Sequence, residues 1–167
     1  MKVVIADTSP LNYLILTGVV DVLPRLYRQV LVPDEVASER ADLGAPPVVA
    51  DWARHLPAWV EIRATPISSE PLKRIDAGER AAILLAEAQQ SPVLLLMDDA
   101  EGRAEAERRG IPVTGTLGVL RAAALRDLVD LPRALAGLRT TSFRCPGSLL
   151  EELIAEDGER KRSKRGK

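Results

Sequence analysis

Acidic residues follow two apolar segments of the chain. Asp7 comes directly after Val3–Ala6, and Asp98 and Asp99 follow the apolar run 93–97. Short apolar runs of this kind are typical of strands that are buried on both faces, as in a parallel sheet covered by helices. Because parallel strands end at the same edge of a sheet, we expect these acids to meet there if the two strands are neighbours.

Carboxylates that meet at one sheet edge need a compensating positive charge or a proton. Two of them at a distance of about 4 Å repel each other by roughly 4 kcal/mol at an effective dielectric constant of 20. A divalent cation with oxygen ligands that keeps several waters is the simplest partner, and Mg²⁺ or Mn²⁺ suits carboxylates best. The sequence therefore predicts a site for Mg²⁺ or Mn²⁺ at this edge.

Two glutamates, Glu39 and Glu79, could extend this site, because each lies in the first part of a predicted helix that can begin near the same edge. Glu35 lies four residues before Glu39 on the same helix face and remains an alternative to it. Asp76 and Glu79 also have the spacing of a capping box, which would be a purely structural role. Asp7 could likewise only cap the helix that follows it.

Other catalytic chemistries lack their residues. His55 is the only histidine and Cys145 the only cysteine, so zinc sites and a histidine-activated nucleophile are disfavoured. No glycine-rich phosphate-binding or dinucleotide-binding motif follows a strand. Lysine is absent between Lys73 and Lys161, and position 9 is Ser9. An aspartyl-phosphate phosphatase therefore fits poorly, and phosphate release from small phosphoesters would test it.

Strand and helix patterns alternate along the chain. Strands are predicted at 3–6, 30–32, 60–62, 93–97 and near 113, and helices at 10–16, 19–27, 33–44, 48–55, 76–90, 100–109 and 114–126, with two more capped by Asp130 and by Ser148. Ser148 and Glu151 have capping-box spacing. This alternation predicts a single α/β domain, with a central, mostly parallel sheet of four or five strands flanked by helices.

Charge is unevenly distributed along the 167 residues. Six cations lie among the last eight residues, which leaves residues 1–159 with a net charge of −7 against −1 for the whole chain. We therefore expect a folded domain over residues 1–159 and a disordered basic tail over 160–167 that could touch nucleic acid. No apolar run approaches the roughly 20 residues of a membrane span, and no signal-peptide pattern is present, so we expect a cytoplasmic protein.

Several segments stand in a recognisable order. They are Ile5-Ala6-Asp7-Thr8-Ser9-Pro10-Leu11, Val32-Pro33-Asp34-Glu35-Val36-Ala37-Ser38-Glu39, Asp76-Ala77-Gly78-Glu79-Arg80-Ala81-Ala82-Ile83, Leu95-Leu96-Met97-Asp98-Asp99 with Gly102-Arg103, and Gly115-Thr116-Leu117-Gly118-Val119-Leu120. Over roughly residues 2–130 the chain thus resembles the PIN-domain nucleases, and more narrowly the VapC-like branch of short prokaryotic proteins with a DUF3368-type pattern.

This resemblance implies a metal site and a reaction. The implied ligands are Asp7, Glu39, Glu79 and one acid of the Asp98-Asp99 pair, with Asp99 slightly preferred, and Thr8 and Thr116 are implied as polar neighbours of the ligands. The implied reaction is endonucleolytic hydrolysis of single-stranded RNA by a metal-activated water. Arg103, and after it Arg80 and Arg121, could hold flanking phosphates of the RNA.

The resemblance also implies partners. It points to the toxin half of a toxin-antitoxin pair, to an antitoxin protein that silences it, and to a homodimer. The alternative that stays open is a PIN-like module without catalytic activity, which binds RNA or a protein partner. Binding without turnover on several RNA substrates would favour that alternative.

Overall fold

A parallel sheet forms the centre of the chain in the computed structural model, which describes residues 2–41, 44–70, 72 and 74–166. Five strands are present in those residues: β1 (Val3–Ala6), β2 (Val30–Pro33), β3 (Val60–Arg63), β4 (Val93–Leu96) and β5 (Val113–Thr114). Their order is β3-β2-β1-β4-β5, and every pairing is parallel. β1 lies in the middle and pairs with β4, so the condition under which the acids after these two strands were expected to meet is fulfilled.

Helices connect the strands and cover both faces of the sheet. They are α1 (Thr8–Leu16), α2 (Val22–Tyr27), α3 (Asp34–Ala41), α4 (Pro47–Arg54), α5 (Ala77–Glu87), α6 (Ala100–Arg108), α7 (Thr116–Leu125), α8 (Leu131–Arg139) and α9 (Gly147–Arg165). None of the helices within the described ranges has the length and hydropathy of a membrane span.

The alternation of side chains along each strand divides the core into two layers. Val4 and Ala6 of β1 pack with α1, α2, α7, α8 and α9 on one face of the sheet. Ile5 points to the other face, where it packs with α5 and α6. Because both faces of the sheet centre are buried, β1, β2 and β4 consist of continuous apolar runs. The prediction of a single α/β domain is confirmed.

Some predicted boundaries were wrong. Pro33 ends β2 and does not begin the helix, which starts at Asp34. Ser148 does not cap α9, because this helix starts at Gly147 after Pro146 and has no side-chain cap. The end of the α3 helix expected near residue 44 falls next to residues 42–43, which lie outside the described residues.

The basic tail predicted to be disordered is helical where the structure describes it, since α9 continues to residue 165. Asp157, whose side chain is only 4% exposed, pairs with Arg160 at 2.8 Å and with Lys161 at 2.7 Å. Asp127 pairs with Arg160 at 2.8 Å and with Lys164 at 2.6 Å. The pairs of Asp157 lie within α9, whereas those of Asp127 join the basic turns of α9 to the domain, a connection that the charge run alone does not predict.

The predicted cap of α8 gives a test of local stability. The Asp130 carboxylate accepts a hydrogen bond from the backbone N–H of Arg133 at 3.0 Å. Asp130→Ala should therefore lower the free energy of unfolding in urea by about 1 kcal/mol. Ser148→Ala is the matched control and should change it by less than about 0.5 kcal/mol. Equal losses in the two variants would contradict this account of the helix ends.

Candidate active site

The carboxyl edge of β1 and β4 brings the acids of the two strands together. Ala6 is the register partner of Leu96, so both strands leave the sheet at the same level. The backbone N–H of Asp7 extends this ladder by donating to the Leu96 carbonyl at 2.9 Å. The position of Asp7 is therefore set by the backbone of the central strand.

Asp7 is a buried carboxyl group among other acids. It is only 4% exposed, and although it precedes α1 it makes no capping hydrogen bond there. The pKa of Asp7 is raised from 3.8 to about 7, mainly by burial and in smaller part by the charges of Asp76, Glu79 and Glu39, against the effect of a hydrogen bond from the backbone N–H of Thr8. A simple capping role does not explain such a placement, because a cap needs neither burial nor acidic neighbours.

Gly78, in the first turn of α5, makes room for two of the carboxylates. A Cβ atom at this position would lie 3.2 Å from both carboxylate oxygens of Glu39 and 3.3 Å from Oδ1 of Asp7. Glu39 also accepts a hydrogen bond from the Thr8 hydroxyl at 2.7 Å. Of the two glutamates on α3 it is thus Glu39 that faces Asp7, whereas Glu35 is hydrogen-bonded to Thr65.

Glu79 has a structural role and also lies within the acidic cluster. The predicted capping box is present: the N–H of Glu79 donates to Asp76 at 2.8 Å, and the N–H of Asp76 donates to the Glu79 carboxylate at 3.1 Å. Glu79 is 7% exposed. Burial raises its pKa to about 7, with further contributions from the charges of Asp76, Asp99 and Glu101. Sequence reasoning missed Glu101 as a neighbour of Glu79, and it considered Asp76 only as a helix cap.

The adjacent acids after β4 have different environments. Both oxygens of Asp98 accept hydrogen bonds from Thr116, one from its N–H and one from its hydroxyl, each at 2.7 Å. Burial raises the pKa of Asp98, against the effect of these bonds and of the Arg103 guanidinium. Asp99 is exposed, and its Oδ2 accepts a hydrogen bond from the N–H of Gly102 at 3.0 Å, the one bond that its carboxylate makes with the described residues. Asp99 is also the acid whose charge acts on Glu79.

One of the predicted phosphate-binding arginines stays beside the acids. Arg103 is half-buried and donates to the Met97 carbonyl at 3.2 Å, next to Asp98. The other two are engaged elsewhere. Arg80 donates to the carbonyl of Ser68 at 2.7 Å, and Arg121 forms a two-oxygen ion pair with Glu156 of α9.

The donor chemistry of this cluster fits a hard divalent cation. The charges that raise the pKa of Asp7 and of Glu79 all belong to carboxylates, so a cation would relieve the repulsion between them. Within the described part of the chain, no three Asp, Glu, His or Cys side chains already converge closely enough to enclose a metal ion. One carboxylate oxygen in each of three acids accepts a hydrogen bond: in Glu39 from Thr8, in Glu79 from Asp76 and in Asp99 from Gly102. A bound cation would have to replace these hydrogen bonds or share the oxygens with them.

Comparison with known families gives one match. The family model DUF3368, described as a PIN domain, matches residues 3–159 of the chain. This range includes the whole sheet and all the acids described above. Comparison with curated proteins gives no match.

Proposed function

Because the chain belongs to the DUF3368 family of PIN domains, we propose that it is a metal-dependent endoribonuclease that hydrolyses the phosphodiester bonds of single-stranded RNA. PIN domains are generally nucleases, which supports a hydrolase acting on nucleic acid. The observation that carries the proposal is the burial of Asp7 among Glu39, Glu79 and Asp76. An arrangement of this kind is costly in the empty protein and becomes favourable once a cation binds.

Four carboxylates are proposed to hold Mg²⁺ or Mn²⁺: Asp7, Glu39, Glu79 and Asp99. A bound cation of this type supplies a water of lowered pKa as the nucleophile and neutralises charge that develops on the leaving 3′ oxygen. The choice of Asp99 over Asp98 follows from their hydrogen bonds, since Asp98 uses both oxygens on Thr116.

The surrounding residues orient these groups. The Thr8 hydroxyl fixes one oxygen of Glu39, and Thr116 fixes Asp98, which joins β4 to the start of α7. Arg103 is held between the Met97 carbonyl and Asp98, where it can bind a phosphate of the substrate. The Arg103 guanidinium would thus attract a phosphate of the RNA backbone next to the acidic cluster.

We also propose a cellular role for this activity. We assign the chain to the toxin component of a toxin-antitoxin pair in the cytoplasm, with an antitoxin protein as partner and a homodimer as assembly. This assignment rests on the resemblance of its motifs to the VapC-like branch. RNA and these proteins are the proposed partners, and no membrane is among them.

The proposed activity requires a cation, and its removal gives the direct test. The chain, stripped with EDTA and then supplied with Mn²⁺ or Mg²⁺, should cut 5′-labelled single-stranded RNA, and the same sample left in EDTA should not. Because the 3′ oxygen is the leaving group, the products should carry 5′-phosphate and 3′-hydroxyl ends. Gel electrophoresis measures the extent of cleavage and, from the mobility of the labelled fragment, the identity of its 3′ end. Glu107 is an exposed residue of α6, and the Glu107→Gln variant should cleave RNA like the wild-type chain. Equal cleavage with and without the cation would contradict the proposal.

A second candidate function is a PIN-like module that binds RNA or protein without catalysis. It is favoured by the hydrogen bonds that occupy Glu39, Glu79 and Asp99, which leave no three acids converged on one point among the described residues. Two results together would favour this function over the nuclease. Calorimetry should show that Mn²⁺ binds, and several single-stranded RNA substrates should remain intact after long incubation.

A further inference from the structure

Arg74 is an exposed arginine close to the acids. It precedes Asp76 by two residues, and it forms neither an ion pair nor a hydrogen bond with any residue that the structure describes. In contrast, Arg80 and Arg121 are bound to Ser68 and Glu156. An exposed guanidinium with no partner in the described part of the chain, beside the proposed nuclease site, is available to bind a phosphate.

A cavity of about 430 Å³ lies next to Arg74, between the segment before α5 and the outer face of α6. Its lining combines an apolar part, from Leu72, Ile75 and Ala104, with charged side chains, which are Glu70, Arg74, Glu101, Glu105 and Arg108. Small-molecule sites in proteins have volumes of this order and place polar groups beside apolar ones. The cavity adjoins the acidic cluster, because Glu101 lines it and the charge of Glu101 acts on Glu79.

Ion pairs fix the walls of this cavity. Arg109, whose side chain is 8% exposed, binds Glu70 at 2.7 Å, Glu87 at 2.8 Å and Glu105 at 2.6 Å. It thereby joins the segment before α5 to α5 and α6. Arg108 also pairs with Glu105 at 2.6 Å. Both arginines are therefore paired, and among the described residues that line the cavity Arg74 and Glu101 keep charges without an ion-pair partner.

We propose that this cavity is a subsite for one nucleotide of single-stranded RNA, with the base against Leu72, Ile75 and Ala104 and the adjoining phosphate on Arg74. The proposal rests on the proposed nuclease function and names where the substrate lies beside the acids. A nucleotide combines an apolar, planar base with an anionic phosphate, which matches an apolar floor next to a free guanidinium. A neighbouring phosphate of the same strand would then reach the carboxylates.

RNA binding, measured separately from cleavage, tests the subsite. The parent for this experiment is Asp7→Asn, and fluorescence anisotropy follows its binding to a labelled single-stranded oligouridylate in Mg²⁺. Arg74→Ala should weaken binding by about tenfold and make the slope of log K against log salt shallower by about 0.7, as expected for one lost phosphate contact. Arg74→Lys should keep the slope because it keeps the charge.

The control is Arg54→Ala, a change at an exposed arginine that pairs with Asp51 at 3.6 Å. Arg54 ends α4 shortly before β3 begins, so it lies at the opposite edge of the sheet. The Arg54→Ala substitution removes one positive charge, as Arg74→Ala does, and should leave both the RNA affinity and the salt slope unchanged.

Ala104→Leu tests the apolar part of the subsite. Ala104 is an exposed position of α6, and leucine is a good helix former, so the fold should be kept while the cavity is partly filled. RNA binding should weaken by about threefold to fivefold with an unchanged salt slope, because no phosphate contact is lost.

The outcomes separate the subsite from the nuclease. If Arg74→Ala and Ala104→Leu bind RNA like Arg54→Ala, the subsite is refuted and a protein partner becomes the candidate for this cavity. Absence of RNA binding by the parent also refutes it. RNA binding that depends on Arg74, together with no cleavage by the wild-type chain in Mn²⁺, supports the subsite and refutes the nuclease.

Discussion

Asp7→Asn is expected to abolish metal-dependent RNA cleavage and, in the same protein, to raise the free energy of unfolding at pH 8. Cleavage should fall by about a thousandfold or more, since the variant loses the carboxylate that is central to the proposed site. Stability should rise because the wild type must keep an ionised group buried among acids, whereas asparagine is neutral. Opposite changes in activity and stability are typical of a residue kept for function.

The pH dependence of this gain follows from the pKa of Asp7, which is about 7 in the folded chain against an ordinary value of 3.8. Between these values the folded chain holds a proton that the unfolded chain has lost. The stabilisation from this group is therefore fully present below pH 3.8 and is lost as the pH rises through 7. Between pH 5 and pH 8 the wild type should lose about 2–3 kcal/mol that the variant does not lose.

Urea unfolding in EDTA at pH 5, 6.5 and 8 measures this difference. The contribution of Glu79, whose pKa is also raised, is shared by both proteins and largely cancels in the comparison. Asp21→Asn is the control: Asp21 is exposed and makes no capping hydrogen bond at α2, so its variant should follow the wild type in stability and in cleavage. Parallel pH curves for wild type and Asp7→Asn would show that the burial of Asp7 carries no such cost.

Asp98→Asn and Asp99→Asn should have opposite effects. Asp99 is exposed, and asparagine caps a helix as well as aspartate does, so Asp99→Asn should change the free energy of unfolding by less than about 0.5 kcal/mol. It removes a carboxylate beside Glu79, and Mn²⁺-dependent cleavage should fall by at least about a hundredfold. Asp98→Asn leaves one oxygen for two donors of Thr116 and should cost about 2 kcal/mol.

Three measurements on these two variants separate the roles: urea unfolding, calorimetric titration with Mn²⁺, and RNA cleavage below the unfolding range of both proteins. Mn²⁺ affinity should be reduced in Asp99→Asn and nearly retained in Asp98→Asn. If Asp98→Asn instead loses cation affinity at full stability while Asp99→Asn keeps it, the ligand of the proposed site is Asp98.

Much of the fold follows from patterns that are local in the chain. Apolar runs such as Val3–Ala6 and Val93–Leu96 are long enough for one strand and bounded by helix-start residues, and strands that alternate with helices assemble into a parallel sheet. The position of Asp7 at the carboxyl edge and the capping box of Asp76 and Glu79 follow from the same local rules. Local rules failed at the basic end of α9, because Asp127, more than thirty residues away from Arg160, holds it.

The sequence by itself determined that the chain is an α/β domain with a parallel sheet and that acids follow two of its buried strands, because strand periodicity and helix caps depend on neighbouring residues. Only the tertiary structure decided that these two strands are neighbours and which of the acids faces which. Glu39 turns to Thr8 and Gly78, Asp98 turns to Thr116, and Arg74 has no ion-pair partner among the residues that the structure describes. Such contacts join segments about 18 to 40 residues apart, so they depend on how helices pack on the sheet and not on spacing along the chain.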